Sequence, residues 1–325
     1  MSLKSIYILV LMVLFSNIQI GIGQSVPYLD ALPFESSMYQ ELSTKKDAVL
    51  QLSLEKIVAK NKTYAKLAAQ KRLAIGLVDL RQMDNLRYAS INGKHMMYAA
   101  SLPKIAVLLT AMEAVSEECL NYDDALKKDL RLMIAKSNNA ATTRVIERVG
   151  FDKIASVMRD DKYDLYDKNK GGGLWVGKKY AKAGKKKPDP LKGLSHAATV
   201  EQVCRFYTML AYGKLVTPEY NVEMMKYMKD PEINHKFVKT FNKIAPEADI
   251  YRKSGSWRTF HCDSALIFGD DGRRYILVAL IDSPKGSGIC SRLVRDAEIA
   301  LDLRKYVGQN DLDLDNKKPK IKPGT

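Results

Sequence analysis

The sequence predicts an α/β protein of the α+β type. Its antiparallel five-stranded sheet is assembled from both ends of the chain and covered by terminal helices, with an all-helical lobe inserted between the two halves. Three observations predict it. Runs with strand character fall only toward the two ends, at 72–80 and 86–91 and again at 249–257, 261–269 and 273–282. Between them, from roughly 119 to 247, the chain reads as helices and loops. Short turn signals join neighbouring strands, as antiparallel hairpins require.

Each element has its own justification. Lys4 is followed by the apolar run IYILVLMVLF, which Ser16, Asn17 and Gln19 interrupt. A bilayer span needs about 20 apolar residues. The run is therefore read as a secretory signal peptide over 1–23, with an uncleaved anchor as the alternative and a mature chain from about Gln24. Residues 36–70 hold helix formers with apolar positions at Leu50, Leu52, Leu54, Ile57 and Val58, then Tyr64, Leu67 and Ala68, the pattern of one long amphipathic helix. RLAIGLVDL (72–80) and LRYASI (86–91) are strands joined by RQMDN. From Leu102 to Val115 the chain is apolar nearly all round, as a buried central helix is. Pro103 suits its first turn, and Ser101 stands where a cap belongs.

DALKKDLRLMIAKS and NAATTRVIERVG follow as helices, the second stopped by Gly150. TVEQVCRFYTMLAYG opens with Thr199 and Gln202 in capping-box spacing. Among the returning strands, Asp271-Gly272 marks a tight turn. CSRLVRDAEIALDLRKYV closes the fold as a helix. The expected organisation is a sheet lobe from 24–118 and 248–307, a helical lobe at 119–247, and a disordered basic tail at 308–325.

The chain has 325 residues, is 46% hydrophobic and carries a formal net charge of +15. That length suffices for a large core. The densest basic block is GKKYAKAGKKKPDPLKG (177–193). Its lysines are not interleaved with stacking aromatics, and export removes most nucleic-acid partners, so no nucleic acid is expected. A solvated loop is the simpler reading, with attraction to an anionic envelope as the functional one. Cys119, Cys204, Cys262 and Cys290, and the four histidines, are scattered without metal-ligand spacing, so no metal or other cofactor is expected. Cys262 and Cys290 bracket the last strands, which leaves a disulfide between them open.

The pattern S-x-x-K occurs three times, at Ser43/Lys46, Ser53/Lys56 and Ser101/Lys104. The first two belong to a polar, solvated helix face. The third opens the buried helix, and one helical turn puts its two side chains on the same side. A serine hydroxyl needs an adjacent base to become a nucleophile. Burial and the charge of Lys253 would lower the Lys104 pKa toward that role, and the helix N-terminus favours negative charge on Ser101 Oγ. Two more polar clusters stand apart from it, Ser137-Asn138-Asn139 between two helices and Lys253-Ser254-Gly255 on a returning strand.

In this order the three clusters resemble the set S-x-x-K, S-D-N and K-T-G of serine β-lactamases and penicillin-binding proteins. SHAATVEQVCRFYTMLAYGKLV and SALIFGDDGRRYILVALI also look like the corresponding stretches of class A β-lactamases. The resemblance covers roughly residues 36–307. It implies a β-lactamase/transpeptidase-like fold and a serine hydrolase that opens β-lactam amide bonds. It further implies Ser101 as nucleophile, Lys104 as base, Ser137 as proton relay, and Lys253, with Ser254, as binder of the substrate carboxylate that also orients Ser137. Asn139, Ser254, Gly255 and Ser256 would bind substrate, with the backbone N–H groups of Ser101 and Ser256 as the oxyanion hole.

The middle of S-D-N is Asn138, and K-S-G stands for K-T-G. The larger departure is the deacylation base. Class A enzymes use a glutamate on a loop after S-D-N, and this chain has no glutamate between Glu147 and Glu201. The region reads NKGGGLWVGKKYAKAG, and Asp160, Asp161, Asp164, Asp167 and Asp189 are its nearby carboxylates, none assigned as base. Acylation is expected and fast deacylation is not. The expected partner is a small-molecule β-lactam or a cell-wall peptide. The expected place is the periplasm or the exterior, with no stable membrane span after processing. A D,D-peptidase-like protein and a sensor that stays acylated are the alternatives.

Overall fold

The computed structural model describes residues 33–303; the expected signal peptide and basic tail lie outside them. Two 3₁₀ turns at Ser36–Met38 and Leu42–Thr44 lead into α1 (Ala48–Lys60) and α2 (Lys62–Ala69). One long helix was expected here. Asn61 divides it, because its side chain accepts from the N–H groups of Thr63 and Tyr64 and so caps a new helix in mid-pattern.

Strands β1 (Leu73–Asp79), β2 (Arg87–Ile91), β8 (Asp249–Trp257), β9 (Phe260–Phe268) and β10 (Arg274–Asp282) form one antiparallel sheet in the order β2-β1-β10-β9-β8. Two-residue alternation divides its side chains between two cores. Leu73, Ile75 and Leu77 of β1, with Leu277, Ala279 and Ile281 of β10, face a core completed by α1, α2, α9 (Phe237–Ile244) and α10 (Gly286–Ala300). Ala74 and Val78, with Ile276, Val278 and Leu280, face the other core. That second core is built round α3 (Lys104–Ser116), whose side chains are buried on nearly every face. Around it stand α4 (Asp124–Ala135), α5 (Asn139–Val149), α6 (Phe151–Arg159), α7 (Val200–Ala211) and α8 (Pro218–Met228).

The segment 119–247 also holds more than the expected helices. Tyr166–Asp167 (β4) pairs with Gly172–Gly173 (β5), and Trp175–Val176 (β6) and Met97–Tyr98 (β3) flank His196–Ala198 (β7). These two- and three-residue strands show no period of their own, because tertiary pairing makes them. Two of its helices turn back to the sheet, α7 against β1 and β10 and α9 against α10. Thr199 caps its helix as expected by accepting from Gln202 N, but the Gln202 side chain does not close the box, and Gly150 ends α5 at φ 78°. The last helix begins at Gly286, a turn earlier than expected. All four cysteines are free thiols, Cys262 and Cys290 among them.

Candidate active site

The residues before α3 form a tight turn. Leu102 N donates to Ala99 O at 3.0 Å and Lys104 N to Ser101 O at 3.3 Å. Ala100 stands at φ 50°, the left-handed region that non-glycine residues seldom occupy. The residue that caps α3 is Pro103, with no side-chain cap bond. This corrects the expectation that Ser101 caps the helix. The turn sets Ser101 three residues ahead of α3, where it contributes its carbonyl, and its hydroxyl has no hydrogen-bond partner among the described residues.

Lys104 is completely buried in the first turn of α3. Its Nζ donates to Ser137 O at 2.7 Å and to Asn139 Oδ1 at 2.8 Å, with Ser137 Oγ at 3.5 Å. Burial pushes its pKa down to about 7. A neutral lysine has two N–H bonds and one lone pair, so the two short contacts use both hydrogens and leave the pair free.

Ser137 reaches Lys104 because it closes the α4–α5 turn at φ 54°, which turns its carbonyl and hydroxyl toward α3. Asn138, at the middle of the cluster, caps α5 through Ala141 N at 2.8 Å. Asparagine caps about as well as aspartate, so the departure from S-D-N keeps the local structure.

From the far side comes β8, at the edge of the sheet. Lys253 Nζ donates to Ser137 Oγ at 2.9 Å and to Ser254 O at 2.8 Å. Burial first, then the charge of Lys104, hold its pKa well below the lysine range. Ser254 is buried beside it. Gly255 was expected to let substrate approach, and its bare α-carbon instead faces the Ser101 turn. A Cβ there would lie 2.8 Å from Ser101 N and 2.7 Å from Leu102 N. Only glycine allows β8 that close. Ser256 Oγ accepts from the buried Lys236 Nζ at 2.8 Å, and the same amine also donates to Gly255 O and Cys262 O. The Arg252–Asp263 ion pair, at 2.7 and 2.8 Å, joins β8 to β9 behind Lys253.

None of the five aspartates noted in the sequence as nearby carboxylates joins these groups. Asp189 is buried as the organiser of its own loop, accepting from Tyr166 Oη and from the N–H groups of Leu191, Lys192 and Leu194. Asp164 pairs with Lys170, Asp167 caps a 3₁₀ turn and Asp160 accepts from Lys162 N. Asp161 lies with Asp152 and Arg159 in a separate surface hollow. Among the described residues no carboxylate contacts Lys104, Ser137 or Lys253. An aromatic ring stands there instead. Tyr180 lies with its ring centre 4.5 Å from Lys104 Nζ. The site opens into a cleft of about 950 Å³ lined by Asn139, Lys178, Lys182, Tyr98, Trp257 and Arg258, among others.

The profile of the beta-lactamase enzyme family matches residues 125–301, more than half of the chain. The chain belongs to that family. Solved structures share the fold. A beta-lactamase from Sphaerobacter thermophilus is 19% identical over 74% of this chain and 97% of its own, with a TM-score of 0.59. PBP-A is 17% identical over 85% and 99%, also at 0.59. A class A beta-lactamase from Bacteroides cellulosilyticus is 15% identical over 79% and 99%, at 0.58. No curated protein matches. Three groups around the Lys104, Ser137 and Lys253 cluster were missed in the sequence: Tyr180, the His196 ring under it, and Lys236. Single residues in a lysine-rich loop, a short strand and a turn carry no spacing signal.

Proposed function

We propose that the protein is an exported serine hydrolase of the β-lactamase type, which opens β-lactam amide bonds through an acyl-serine on Ser101 and releases that acyl group slowly. The observation that carries the reading is the buried Lys104 amine, whose two short contacts to Ser137 and Asn139 leave its lone pair free, three residues along the chain from Ser101. That lone pair takes the Ser101 proton as Oγ bonds to the lactam carbonyl carbon. The oxygen of the tetrahedral intermediate is held by the N–H groups of Ser101 and Ser256. The C–N bond then breaks, and the ring nitrogen takes the Ser137 hydroxyl proton, which Lys104 replaces across 3.5 Å. Lys253 and Ser254 attract the substrate carboxylate, and Lys253 keeps Ser137 oriented. Asn139 holds the substrate's side-chain amide. Gly255 fixes the distance between β8 and the nucleophile turn. The apolar run after Lys4, read as a signal peptide, supports export, and no helix among the described residues is long and apolar enough to cross a membrane.

The absence of a carboxylate contact at Lys104 favours a second reading, a D,D-peptidase-like penicillin-binding protein or sensor that forms the same acyl-serine. The chemistry up to the ester is common to all. Covalent mass followed over time after adding a chromogenic cephalosporin, with absorbance in parallel, tests it. The expected result is one adduct per chain on Ser101, persisting for many minutes, and none in Ser101→Ala. Failure of every penicillin and cephalosporin to label the protein overturns the reading. Release of D-alanine from a stem-peptide mimic decides for the peptidase.

A further inference from the structure

Tyr180 belongs to the basic block 177–193, to which the reading above gives no task. Its hydroxyl donates to Ala100 O at 3.1 Å. Its ring covers Lys104 and rests on the His196 ring, with centroids 4.3 Å apart and planes at 45°. His196 is a fixed platform. A carbonyl only accepts, so Nε2 donates to Lys178 O at 3.0 Å, and Nδ1 accepts from Ser195 Oγ at 3.0 Å. Burial pushes its pKa down to about 4, so the ring is neutral near pH 7.

Ala100 O is no ordinary acceptor. It shares a peptide unit with Ser101 N–H, and that unit is trans. In a trans peptide the C=O and N–H point in opposite directions. A donor on one therefore fixes the direction of the other, and it polarises the amide toward a stronger N–H. The preceding residue holds a left-handed φ of 50°, a conformation that needs outside support.

We propose that Tyr180 is a positioning residue for acylation, its hydroxyl locking the Ala100–Ser101 peptide and its ring shutting solvent away from the Lys104 amine. The inference rests on Ser101 as the nucleophile for its first half only; the covering of Lys104 stands without it. It also gives the basic loop a task, that of delivering one aromatic side chain to the catalytic helix. The titratable groups facing Lys104 are Lys253 from β8, His196 from β7 and Tyr180 itself, with Tyr98 behind the last two. His196 is neutral above about pH 4 and burial pushes Tyr180 up, so between pH 5 and 9 the lysine pair dominates the titration.

Two variants separate the two halves. Tyr180→Phe keeps the ring and removes the bond to Ala100 O, and is expected to slow acylation about tenfold, one hydrogen bond's worth, with the pH midpoint unmoved. Tyr180→Ala removes the cover, and is expected to raise the midpoint of Lys104 by one pH unit or more. That midpoint is read without any substrate from the ¹³Cε resonance of Lys104, assigned through Lys104→Arg. An unmoved Lys104 titration in folded Tyr180→Ala overturns the covering role. Wild-type acylation in Tyr180→Phe overturns the peptide lock. If wild type takes no β-lactam at all while the Lys104 titration still moves in Tyr180→Ala, the reading of Ser101 fails and the cover stands.

Discussion

Lys104 works at the scale of a single proton. Burial holds its pKa at about 7 against an ordinary 10.5, and as the proposed base the amine would remove the Ser101 proton only when it is neutral. The second-order acylation rate is therefore expected to rise with pH through about 7 and then level off. The measurement is stopped-flow acylation from pH 5 to 9, and a rate that falls across this range would exclude Lys104 as the base. Stability runs the same way. Between 10.5 and about 7 the unfolded lysine binds a proton that the folded one refuses, so Lys104 contributes less stability as pH drops through that window. The buried Lys253 has its pKa displaced in the same direction. The meeting of Lys104, Ser137 and Lys253 was legible from their motifs, because a polar S-x-x-K at the head of an apolar helix is a conflict that burial alone does not explain; the role of Ser101 rests on the proposal. Its misreading as a cap has a local cause. The left-handed Ala100 inserts a turn between Ser101 and α3, and nothing in the residue type of alanine announces that conformation.

Elements bring the three clusters together, and β8 is the one under most constraint. It must approach the Ser101 turn through Gly255, hold Lys253 in the interior and stay in register at the sheet edge. Arg252 and Asp263, both buried, join it to β9 one residue from Lys253, and Asp263 also receives the N–H groups of Phe237 and Ser264. Breaking a buried pair leaves its partner's charge uncompensated. Asp263→Ala is expected to lower stability by about 3–5 kcal/mol, measured by urea unfolding, with acylation lost alongside. A loss below about 1 kcal/mol, the range of an exposed pair, would show that the pair does not carry β8. The five strands were legible because each is a long apolar run closed by turn residues. The ribbons β3 to β7 were not, since two or three residues hold no period and their pairing partners lie up to about a hundred positions away. The break at Asn61 hid for a related reason. Helix formers stand on both sides, and one asparagine in such a pattern looks like a tolerated polar site.

At the scale of the whole molecule, charge meets the cleft. The chain carries +15, and Lys178, Lys179, Lys182 and Arg258 line the opening beside Asn139. Of these, Lys179 is paired with Glu147, and Arg258 lies over the exposed Trp257 ring at 5.7 Å. An aromatic wall under unneutralised cations attracts a substrate that is anionic at one end and apolar at the other, as β-lactams with a carboxylate and an aryl side chain are. A basic cleft of this kind concentrates anions and raises their encounter rate. Salt weakens that pull once the Debye length falls below the width of the opening, near 10 Å at 0.1 M. The acylation rate constant is thus expected to fall severalfold between about 0.02 and 0.5 M salt. The fall should be steeper for a dianionic β-lactam than for its monoanionic analogue, and shallower in Lys178→Gln/Lys182→Gln for both. Stopped-flow acylation at fixed pH across the salt series measures all three slopes. Equal slopes for the two substrates would mean that the charge lies on the surface without acting on the cleft, and the block 177–193 would then be left with the placement of Tyr180 alone.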